Sequence, residues 1–404
     1  MTVAPVRVAH IITRMIVGGA QQDVLHICDA LRRRPGWDPM LITGPPLGPE
    51  GELLSAARRR GIPHTVLPSL RRQVNPFRDA AATAALLRAI RRVRPTIVHT
   101  SSSKAGILGR LAARLAHVPI VVHSIWGLPF HPYAAPWVNA SFIAAERAAG
   151  LVTDRFCCVS RAMATGFLDA GIGRLEQFSV IHSGIDVDAY LEAASRREAT
   201  RKRLGFGPDD VVIGKVARLF RLKGHRFLID AAPRIVRRCP NVRFLFVGAG
   251  VLRDDLMERA AERGVRERIT LTGLVAPEEV PDLISAMDVV VHTSLREGLA
   301  RVLVEALLCE KPVVTYDMDG APEVILDGVT GQLVPPESVV ALADAAIWAI
   351  ENPEEARAMA REGRRRFADE FRLETAIRRT EWLYRELLRE HGFRPPPLTS
   401  RHGR

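Results

Sequence analysis

Two carboxylates eight positions apart are the residues of this sequence best suited to bind a phosphorylated ligand. They are Glu297 and Glu305, in the segment Glu-Gly-Leu-Ala-Arg-Val-Leu-Val-Glu. If the chain is helical after Gly298, a rise of about 1.5 Å per residue separates them by roughly 12 Å along the axis. A diphosphate would fit between them, over the free N–H groups of the first helical turn. Those N–H groups belong to Leu299, Ala300 and Arg301. The alternative is a surface helix with two solvated acids.

A basic loop supplies a second set of phosphate-binding groups. Arg218 and Lys223 lie five positions apart, directly after the apolar run Val211–Ala217. A guanidinium can bind phosphate as a planar fork and an ammonium as a point charge, so the pair can bracket a diphosphate. Gly224 would let the backbone approach closely.

Two glycine-rich turns are weaker signals. Gly18-Gly19 opens a helical pattern after the first apolar run, where backbone N–H groups can face an anion. The second turn is Val247-Gly-Ala-Gly250. Neither turn has the complete GxGxxG fingerprint, so a dehydrogenase is disfavoured.

Short apolar runs alternate with amphipathic stretches along the whole chain, which is typical of parallel sheets with crossover helices. The predicted strands are Val6–Ile12, Met40–Thr43, His64–Leu67, Ile97–Thr100, Ile120–His123, Phe156–Val159, Phe178–Ile181, Val211–Val216, Phe244–Val247, Ile269–Thr272, Val289–Val291, Pro312–Thr315 and Gln332–Val334. Helices predicted in the first half include Gln21–Arg33, Leu53–Arg60, Phe77–Val93 and Ala105–Ala116. The pattern predicts an α/β protein of two Rossmann-like domains facing a central cleft, with ligands at the carboxyl ends of the strands.

Breaks in this pattern predict the domain boundaries. Residues 1–188 form an N-terminal Rossmann-like domain, and the charged stretch 189–207 is a linker. Residues 208–370 form a second Rossmann-like domain. The helical pattern at 371–390 is expected to pack back on the first domain. The basic, proline-rich tail 394–404 is expected to be disordered.

Positive charge is concentrated in the first half. The 404 residues carry a net charge of +12, and residues 1–190 hold 22 Arg and Lys against 12 Asp and Glu. Such a field suits anionic phospholipid or a lipid diphosphate. Nucleic acid is disfavoured because the basic runs lack interleaved aromatic residues. Solvated helix ends are the alternative reading.

Cysteine usage and the amino-terminal sequence indicate a reducing cytoplasm. The five cysteines are odd in number and lack CxxC spacing, so neither a disulfide framework nor a zinc site is predicted. The first residues lead directly into a strand-like run without the apolar segment of a signal peptide.

One long stretch, Leu115–Ala145, carries no formal charge. Four prolines interrupt it, so it is not expected to span a membrane. It is predicted to be a buried strand followed by an apolar loop that includes Trp126 and Trp137. Base rates for large apolar side chains favour burial of this loop in the core over contact with a bilayer surface.

These motifs together resemble the retaining glycosyltransferases of family 4, which have the two-domain GT-B fold. The resemblance runs from about Arg7 to Leu388. The motifs that appear in the family order are Arg218…Lys223-Gly224, Gly273-Leu274, Glu297…Glu305, Gly320-Ala-Pro-Glu323 and Asp327-Gly-Val-Thr-Gly331. The segment Val98–Ala113 is similar to a branch that builds bacterial surface polysaccharides, whose acceptor is often a lipid-diphosphate-linked sugar.

The resemblance implies that residues 1–188 bind the acceptor and that residues 208–370 bind the nucleotide sugar. It also implies a role for each matching residue. Arg218 and Lys223 would hold the donor diphosphate, Glu297 the transferred sugar and Glu305 the donor ribose. The remaining donor contacts would come from Gly18, Gly19, Gly273, Leu274, Val275, Gly298, Leu299, Ala300 and Arg301.

The resemblance also implies where the protein works and what it needs. It implies a cytoplasmic enzyme at the inner face of the plasma membrane, with a nucleotide-sugar co-substrate. No metal or other cofactor is expected. The DxD-like triplets Asp186-Val-Asp188 and Asp317-Met-Asp319 are in the wrong place for the metal–nucleotide signature of the other glycosyltransferase fold.

The sequence departs from the family where a histidine usually contacts the donor sugar. Trp126 stands at that position, in Ser-Ile-Trp-Gly, and Ser101 replaces a histidine of the polysaccharide branch. Candidate acceptor or sugar contacts nearby are Trp126, His123, His131 and Lys104. His123 lies three residues before Trp126, so on a strand it would point to the opposite face.

The expected reaction breaks an anomeric C–O bond with retention at the donor sugar. The leaving diphosphate, stabilised by Arg218 and Lys223, would itself accept the proton of the acceptor. Two alternatives remain. One is another GT-B enzyme, such as an epimerase or a sucrose- or trehalose-type synthase with a soluble acceptor. The other is a non-catalytic nucleotide-binding module.

Overall fold

The computed structural model describes residues 4–48 and 51–397 and divides the chain into two compact units. The first unit contains the chain up to Gly184 and again from Glu374 onward, and the second is Ile185–Leu373. The chain therefore leaves the first unit once and returns to it near the C-terminus.

The first unit is built on a seven-stranded parallel sheet in the order β3-β2-β1-β4-β5-β6-β7. Its strands are β1 Val6–Arg14, β2 Trp37–Gly44, β3 His64–Val66, β4 Ile97–Ser101, β5 Ile120–Ile125, β6 Arg155–Cys158 and β7 Phe178–Val180. Every residue of β4 and β5 is buried, because helices cover both faces of a parallel sheet. The strand order reverses between β1 and β4, where a doubly wound sheet opens a crevice at the carboxyl ends of its strands.

Among the described residues, six α-helices lie between these strands. They are α1 Gly19–Arg32, α2 Leu54–Arg59, α3 Pro76–Val93, α4 Ser103–Leu115, α5 Pro136–Gly150 and α6 Arg161–Asp169. Local chemistry sets the start of α3: the side chain of Asn75 accepts a hydrogen bond from Arg78 N at 2.9 Å, and Pro76 occupies the first turn.

The second unit repeats the same winding with six parallel strands in the order β10-β9-β8-β11-β12-β13. They are β8 Val211–Val216, β9 Val242–Val247, β10 Ile269–Leu271, β11 Val289–His292, β12 Val313–Tyr316 and β13 Gln332–Val334. Its helices are α7 Val187–Glu192, α8 Arg197–Arg203, α9 His225–Arg238, α10 Arg253–Glu262, α11 Val280–Ser285, α12 Arg301–Leu308, α13 Val339–Glu351 and α14 Pro353–Phe367. The reversal point of this sheet lies between β8 and β11.

Residues 189–207, predicted as a linker, are mostly helical and belong to the second unit. Arg197 and Arg201 anchor α8 there through ion pairs to Asp288, at 2.5 and 3.1 Å. The charges on which the linker prediction was based are thus paired with an acid more than 80 positions away. A single sequence does not reveal such a partner.

The C-terminal helix, α15 Leu373–Glu390, packs against the first unit. Tyr384 and Leu387 are buried there with Val8, Trp37 and Ile97. Packing of this helix on the first domain was expected from the sequence.

The predicted disordered tail, 394–404, lies only partly within the described residues. Arg385 of α15 donates a hydrogen bond to the carbonyl of Pro397 at 2.9 Å, and Pro396 is buried. Pro396 and Pro397 therefore contact the helix, whereas 398–404 lie outside the part of the chain that the structure describes.

The α/β prediction is confirmed, and each predicted strand overlaps an observed one. The apolar loop expected after β5 is instead interrupted by α5, and the ring of Trp137 on this helix is 74% exposed rather than part of the core. In the described ranges, no helix is long and apolar enough to cross a membrane.

Candidate functional site

Within the second unit, the basic loop and the two acids gather at one edge of the sheet. Strands β8 and β11 are parallel neighbours, paired at Ile213 and Val289, so their carboxyl ends point the same way. The loop Arg218–Gly224 follows β8, and the segment with Glu297 follows β11. This edge is the reversal point of the sheet, where Rossmann-like domains bind their ligands.

The basic loop is clamped to the chain beyond β11. Gly224 has φ +68°, and a Cβ placed there would lie 1.9 Å from the carbonyl oxygen of Thr293, so only glycine fits. Leu295 N donates a hydrogen bond to Leu222 O at 2.8 Å. Arg218 is exposed, and its guanidinium carbon lies 5.1 Å from the ring centre of Phe220. The loop thus presents its charges from a fixed backbone.

Lys223 and Glu297 form a direct ion pair. The imidazole Nε2 of His292 lies 3.3 Å from the same carboxylate. Burial would raise the pKa of Glu297, but the charge of Lys223 and the hydrogen bond with His292 outweigh it, and the pKa falls well below its ordinary value. Burial lowers the pKa of His292 to about 4. At neutral pH, Glu297 is therefore ionised beside an ammonium and a neutral imidazole.

The turn between Glu297 and Glu305 differs from the predicted one. Helix α12 begins at Arg301 with Ala300 as its N-cap, so Leu299 precedes the first helical turn. Gly298 is held by a hydrogen bond from Gly320 N to its carbonyl, at 3.1 Å. The separation of roughly 12 Å assumed a helix from Gly298 onward, so that estimate does not apply.

Glu305 is buried on α12 and bound on two sides. Arg301 Nε lies 3.4 Å from its carboxylate, and the hydroxyl of Tyr190 forms a hydrogen bond with it. Burial raises the pKa of Glu305, and these two contacts oppose the rise. Tyr190 comes from α7, in the segment where the sequence predicted a domain end and a linker.

The loop predicted to meet a nucleobase is open. Gly273 has φ +73°, and a Cβ there would meet nothing within 4 Å. Gly273 forms an isolated bridge with Gly248, and Leu274 is 55% exposed beside the half-buried Val275. The backbone here has room for a flat ring.

In the first unit, the predicted glycines lie at the carboxyl edge of the sheet, at the start of α1. Gly18 is the N-cap of α1, and its carbonyl accepts a hydrogen bond from Gln22 N at 3.0 Å. Gly19 is the first residue of the helix. Trp126 follows β5 at the same edge, half-buried, and within the described residues its buried indole N–H has no hydrogen-bond partner.

The other polar candidates of the first unit are occupied by contacts of the fold. His123 is 3% exposed; its Nδ1 lies 2.9 Å from the hydroxyl of Thr100, and its ring packs on Phe156. A strand side chain facing the sheet interior cannot reach an acceptor, so the suggested role of His123 is withdrawn. Lys104 forms an ion pair with Asp79 at 2.6 Å.

His131 is held through its backbone. Asn139 accepts a hydrogen bond from His131 N at 3.1 Å and donates one to His131 O at 2.9 Å. The ring of His131 lies 6.2 Å from that of Tyr133. It is the one predicted histidine contact in this unit that remains near the surface.

The aspartate triplets have other partners. Asp188 pairs with Arg372 at 3.0 Å, and Asp319 accepts a hydrogen bond from Glu297 N at 2.6 Å. Across residues 4–48 and 51–397, the structure contains no group of three or more His, Cys, Asp or Glu side chains placed to hold a metal ion.

Sequence reasoning missed Lys215, His292 and Tyr190. Lys215 lies inside the apolar run of β8, and a charge in the middle of such a run is a signal that could have been used. His292 ends β11, and Tyr190 lies far from Glu305 along the chain. Nothing in a single sequence joins either of them to the two acids.

Comparison with known proteins covers both units. The family model described as "Glycosyltransferase Family 4" matches residues 17–189, and that described as "Glycosyl transferases group 1" matches residues 196–366. The alpha-D-kanosaminyltransferase of Streptomyces kanamyceticus is 31% identical over 297 residues, covering 71% of this chain and 75% of that protein. The UDP-Gal:alpha-D-GlcNAc-diphosphoundecaprenol alpha-1,3-galactosyltransferase of Escherichia coli is 30% identical over 63% of this chain and 66% of its own length.

Solved structures show the same fold. Anabaena Alr3699/HepE in complex with UDP-glucose superposes with a TM-score of 0.80 at 25% identity, covering 94% of this chain and 99% of that one. Sucrose-phosphate synthase from Thermosynechococcus elongatus gives a TM-score of 0.80 at 21% identity, over 95% of this chain and all of the other. With both units matched, the chain belongs to glycosyltransferase family 4 and has the GT-B fold.

Proposed function

We propose that this glycosyltransferase moves a hexose-type sugar, with retention, from a nucleotide-diphosphate sugar to a lipid-linked or polysaccharide intermediate of the bacterial envelope. The observation that carries the proposal is the group formed by Lys223, Glu297 and Glu305 at the carboxyl edge of the second sheet. It combines a cation for phosphate with two carboxylates for hydroxyl groups on one rigid frame.

Each group has the chemistry that its role requires. Arg218 and Lys223 would bind the two phosphates, because both cations come from one clamped loop. Glu297 would accept hydrogen bonds from the sugar and Glu305 from the ribose. The open turn at Gly273 would take the nucleobase.

Retention would follow a front-face route. Glu297 is poorly suited to be a covalent nucleophile, because Lys223 and His292 already engage its carboxylate and keep its pKa low. The leaving diphosphate would instead accept the proton of the acceptor while Arg218 and Lys223 stabilise its growing charge. These cations would serve in place of a metal, so chelation with EDTA is expected to leave the rate unchanged.

Uridine nucleotides are the donor class to test first. The related Anabaena protein was solved with UDP-glucose, and the name of the Escherichia coli relative specifies UDP-galactose. In a thermal-shift screen of UDP, GDP and ADP, a ligand at 100 times its Kd adds about 2.7 kcal/mol of stability. We expect one nucleotide to stabilise the wild type and to lose that effect in Glu305→Gln.

The exposed Glu355 offers a matched control. Glu355→Gln makes the same chemical change as Glu305→Gln, but at an exposed position of α14. The nucleotide should therefore stabilise this variant as much as it stabilises the wild type. Stabilisation of Glu305→Gln equal to that of the wild type would contradict the assignment. The absence of any shift would favour a non-catalytic module.

A membrane-bound acceptor is supported by one relative and one surface. The Escherichia coli relative is named for a diphosphoundecaprenol-linked acceptor. In this chain, α5 and its C-cap residue expose a mostly apolar stripe at helical spacing, with the exposed Arg147 beside it; the stripe consists of Trp137, Ala140, Ala144, Ala148 and Leu151. Such a stripe can lie in a bilayer interface while the basic runs of this half of the chain attract anionic headgroups. We therefore place the enzyme at the cytoplasmic face of the plasma membrane.

Vesicle binding tests that placement. The wild type should sediment with phosphatidylglycerol vesicles more than with phosphatidylcholine vesicles, and less at high salt. Trp137→Ala should weaken binding about tenfold, since a buried indole contributes on the order of 1.5–3 kcal/mol at most. Trp382→Ala is the matched control, because this tryptophan is also exposed but lies on α15. Equal loss in both variants would argue against a role for α5.

A soluble acceptor is the second candidate. The Streptomyces kanamyceticus relatives are named alpha-D-kanosaminyltransferase and 2-deoxystreptamine glucosyltransferase, each 31% identical. The name of the second specifies a small acceptor. Turnover of UDP-glucose with 2-deoxystreptamine, undiminished by Trp137→Ala and independent of vesicles, would favour this candidate over the lipid-linked one.

A further inference from the structure

Lys215 is buried in the middle of the second sheet, beneath the candidate donor site. It lies on β8 and is 0% exposed. Its Nζ donates a hydrogen bond to Thr293 Oγ1 at 2.9 Å, and Thr293 Oγ1 donates one to the carbonyl of Gly224 at 2.8 Å. These two bonds connect the strand interior to the end of the basic loop, one residue after Lys223.

This burial is costly for the fold. An ammonium taken out of water loses several kcal/mol of hydration, and one neutral hydroxyl does not replace it. The neighbours of Lys215 on β8, Gly214 and Val216, are apolar, and an aliphatic residue would suit the strand better. A lysine at such a position points to a task other than stability.

The groups that face Lys215 come from three neighbouring segments. They are Lys223 of the basic loop, His225 of α9, and the β11 segment with His292 at its end and Glu297 just after it. Burial lowers the pKa values of His225 and His292, so both rings are neutral at pH 7. The charges around Lys215 at that pH are therefore the cation of Lys223 and the anion of Glu297.

We propose that Lys215 is a positioning residue that holds the Lys223–Gly224 end of the loop through Thr293, and that diphosphate binding draws a proton from solvent onto its amine. This inference rests on the proposed donor site. A diphosphate bound to Lys223 would neutralise the charge that repels the ammonium of Lys215, so the protonated form would be favoured on binding.

In the free protein, the amine of Lys215 is partly unprotonated and can therefore take up a proton. Burial, followed by repulsion from Lys223, lowers the pKa of Lys215 to about 7, with Glu297 acting in the opposite direction. At pH 8 most of the free protein would hold a neutral amine. The bound protein would hold the charged form, which adds an attractive cation beneath the phosphates.

Calorimetric titration with UDP tests the proposal. Titrations at pH 8 in two buffers of different ionisation enthalpy report the protons taken up. We expect the wild type to take up about half a proton or more. Lys215→Met should bind UDP about tenfold more weakly, without the uptake linked to Lys215. Unchanged uptake in Lys215→Met would overturn the proposal.

Stability separates this role from a packing role. Because Lys215→Met removes a buried charge at similar volume, its unfolding free energy should equal or exceed that of the wild type while its UDP binding is weakened about tenfold. Loss of both together would indicate a packing role and overturn the proposal.

Thr293 provides a second pair of variants. Thr293→Val removes the hydroxyl that links Lys215 to Gly224 and should weaken UDP binding, whereas Thr293→Ser keeps the hydroxyl and should bind like the wild type. Equal binding by the two would contradict the link.

Arg218→Ala distinguishes the two proposals: if it binds UDP as well as the wild type, the donor site itself is misplaced. If only Arg218→Ala weakens binding, the inference about Lys215 alone fails.

Discussion

The two units wind their sheets in the same way but bury ionisable groups in different places. In the first unit, Arg110 and Glu146 form an ion pair with side chains no more than 1% exposed, joining α4 to α5. His99 bridges two elements in the same unit, with its Nδ1 2.5 Å from Tyr384 Oη and its Nε2 2.7 Å from Ser124 Oγ. These groups satisfy one another inside the unit.

In the second unit, the buried Lys215 and the half-buried Glu297 are connected to a loop at the carboxyl edge of the sheet. Lys215 reaches Gly224 through Thr293, and Glu297 pairs with Lys223. A charge that is paired within the core serves to hold elements together. A charge that is tied to a loop can respond to what the loop binds. In two units of the same topology, a buried charge whose partner lies in the core therefore supports the fold, and one whose partner lies in a loop can belong to a binding site.

Breaking the pair in the first unit should have the largest effect. Arg110→Met leaves Glu146 buried without its partner and should cost about 3–5 kcal/mol of unfolding free energy. Hydrogen exchange should rise in α4, α5 and β5 but not in β8 or β11. The double variant Arg110→Met with Glu146→Leu should recover most of the loss. Exchange that rises equally in both units would contradict the comparison.

Removing a loop cation in the second unit should affect the reaction and spare the fold. Arg218→Ala should lower kcat/KM about 100-fold, near 3 kcal/mol of transition-state energy, since it removes a charge from the leaving diphosphate. Arg221→Ala is the matched control, because Arg221 is exposed in the same loop. It should stay within about threefold of the wild type, within the small effects of exposed substitutions. Steady-state kinetics with unchanged unfolding curves would support the distinction. If kcat/KM falls equally in Arg218→Ala and Arg221→Ala, Arg218 has no special role in the reaction.

Acid should weaken the first unit through its buried histidines. Burial lowers the pKa of His10 to about 4, from an ordinary value of 6.5. As the pH falls below about 6.5, His10 becomes protonated in the unfolded chain but stays neutral in the folded one. The free energy of unfolding therefore decreases between about pH 6.5 and 4. The loss from this residue amounts to about 3 kcal/mol at most.

Urea unfolding at pH 7 and pH 4.5 would measure that loss. His10→Leu should lose less stability than the wild type over this interval, because it cannot take up the proton. His117→Asn, at an exposed position with φ 55°, is the control and should follow the wild type. If His10→Leu loses as much unfolding free energy as the wild type between pH 7 and pH 4.5, the loss comes from other groups.

The smallest effect is expected at Tyr190. Tyr190→Phe removes only the hydroxyl that bonds to Glu305, and Arg301 still contacts that carboxylate. Nucleotide binding should weaken by about 1 kcal/mol, roughly fivefold. Tyr316→Phe is a suitable comparison, since it removes a buried tyrosine hydroxyl from β12 of the same unit and should leave binding unchanged. A larger loss at Tyr316 than at Tyr190 would contradict the role of α7.

Most of the fold could be predicted because each strand is specified by the pattern of residues adjacent in the sequence. The run Val289–Val291 and the observed strand β11, Val289–His292, differ by a single residue. Periodicity fails where partners are distant. The charges at Arg197 and Arg201 indicated a linker, whereas in the structure both side chains pair with Asp288.

The candidate site was predicted only in part for the same reason. Glu297 and Glu305 stand out by their spacing, and Arg218 with Lys223 by their place after a strand. The ion pair between Lys223 and Glu297 joins residues 74 positions apart, and no local pattern records it.

The sequence alone determined the alternating strands and helices, the family and the identity of the charged groups, because these depend on residue type and short-range spacing. The tertiary structure decided which of those groups meet. It placed Tyr190 against Glu305, turned His123 into the core and set Lys215 beneath the basic loop. Contact between residues far apart in the chain follows from sheet order and helix packing, and only the folded chain carries that information.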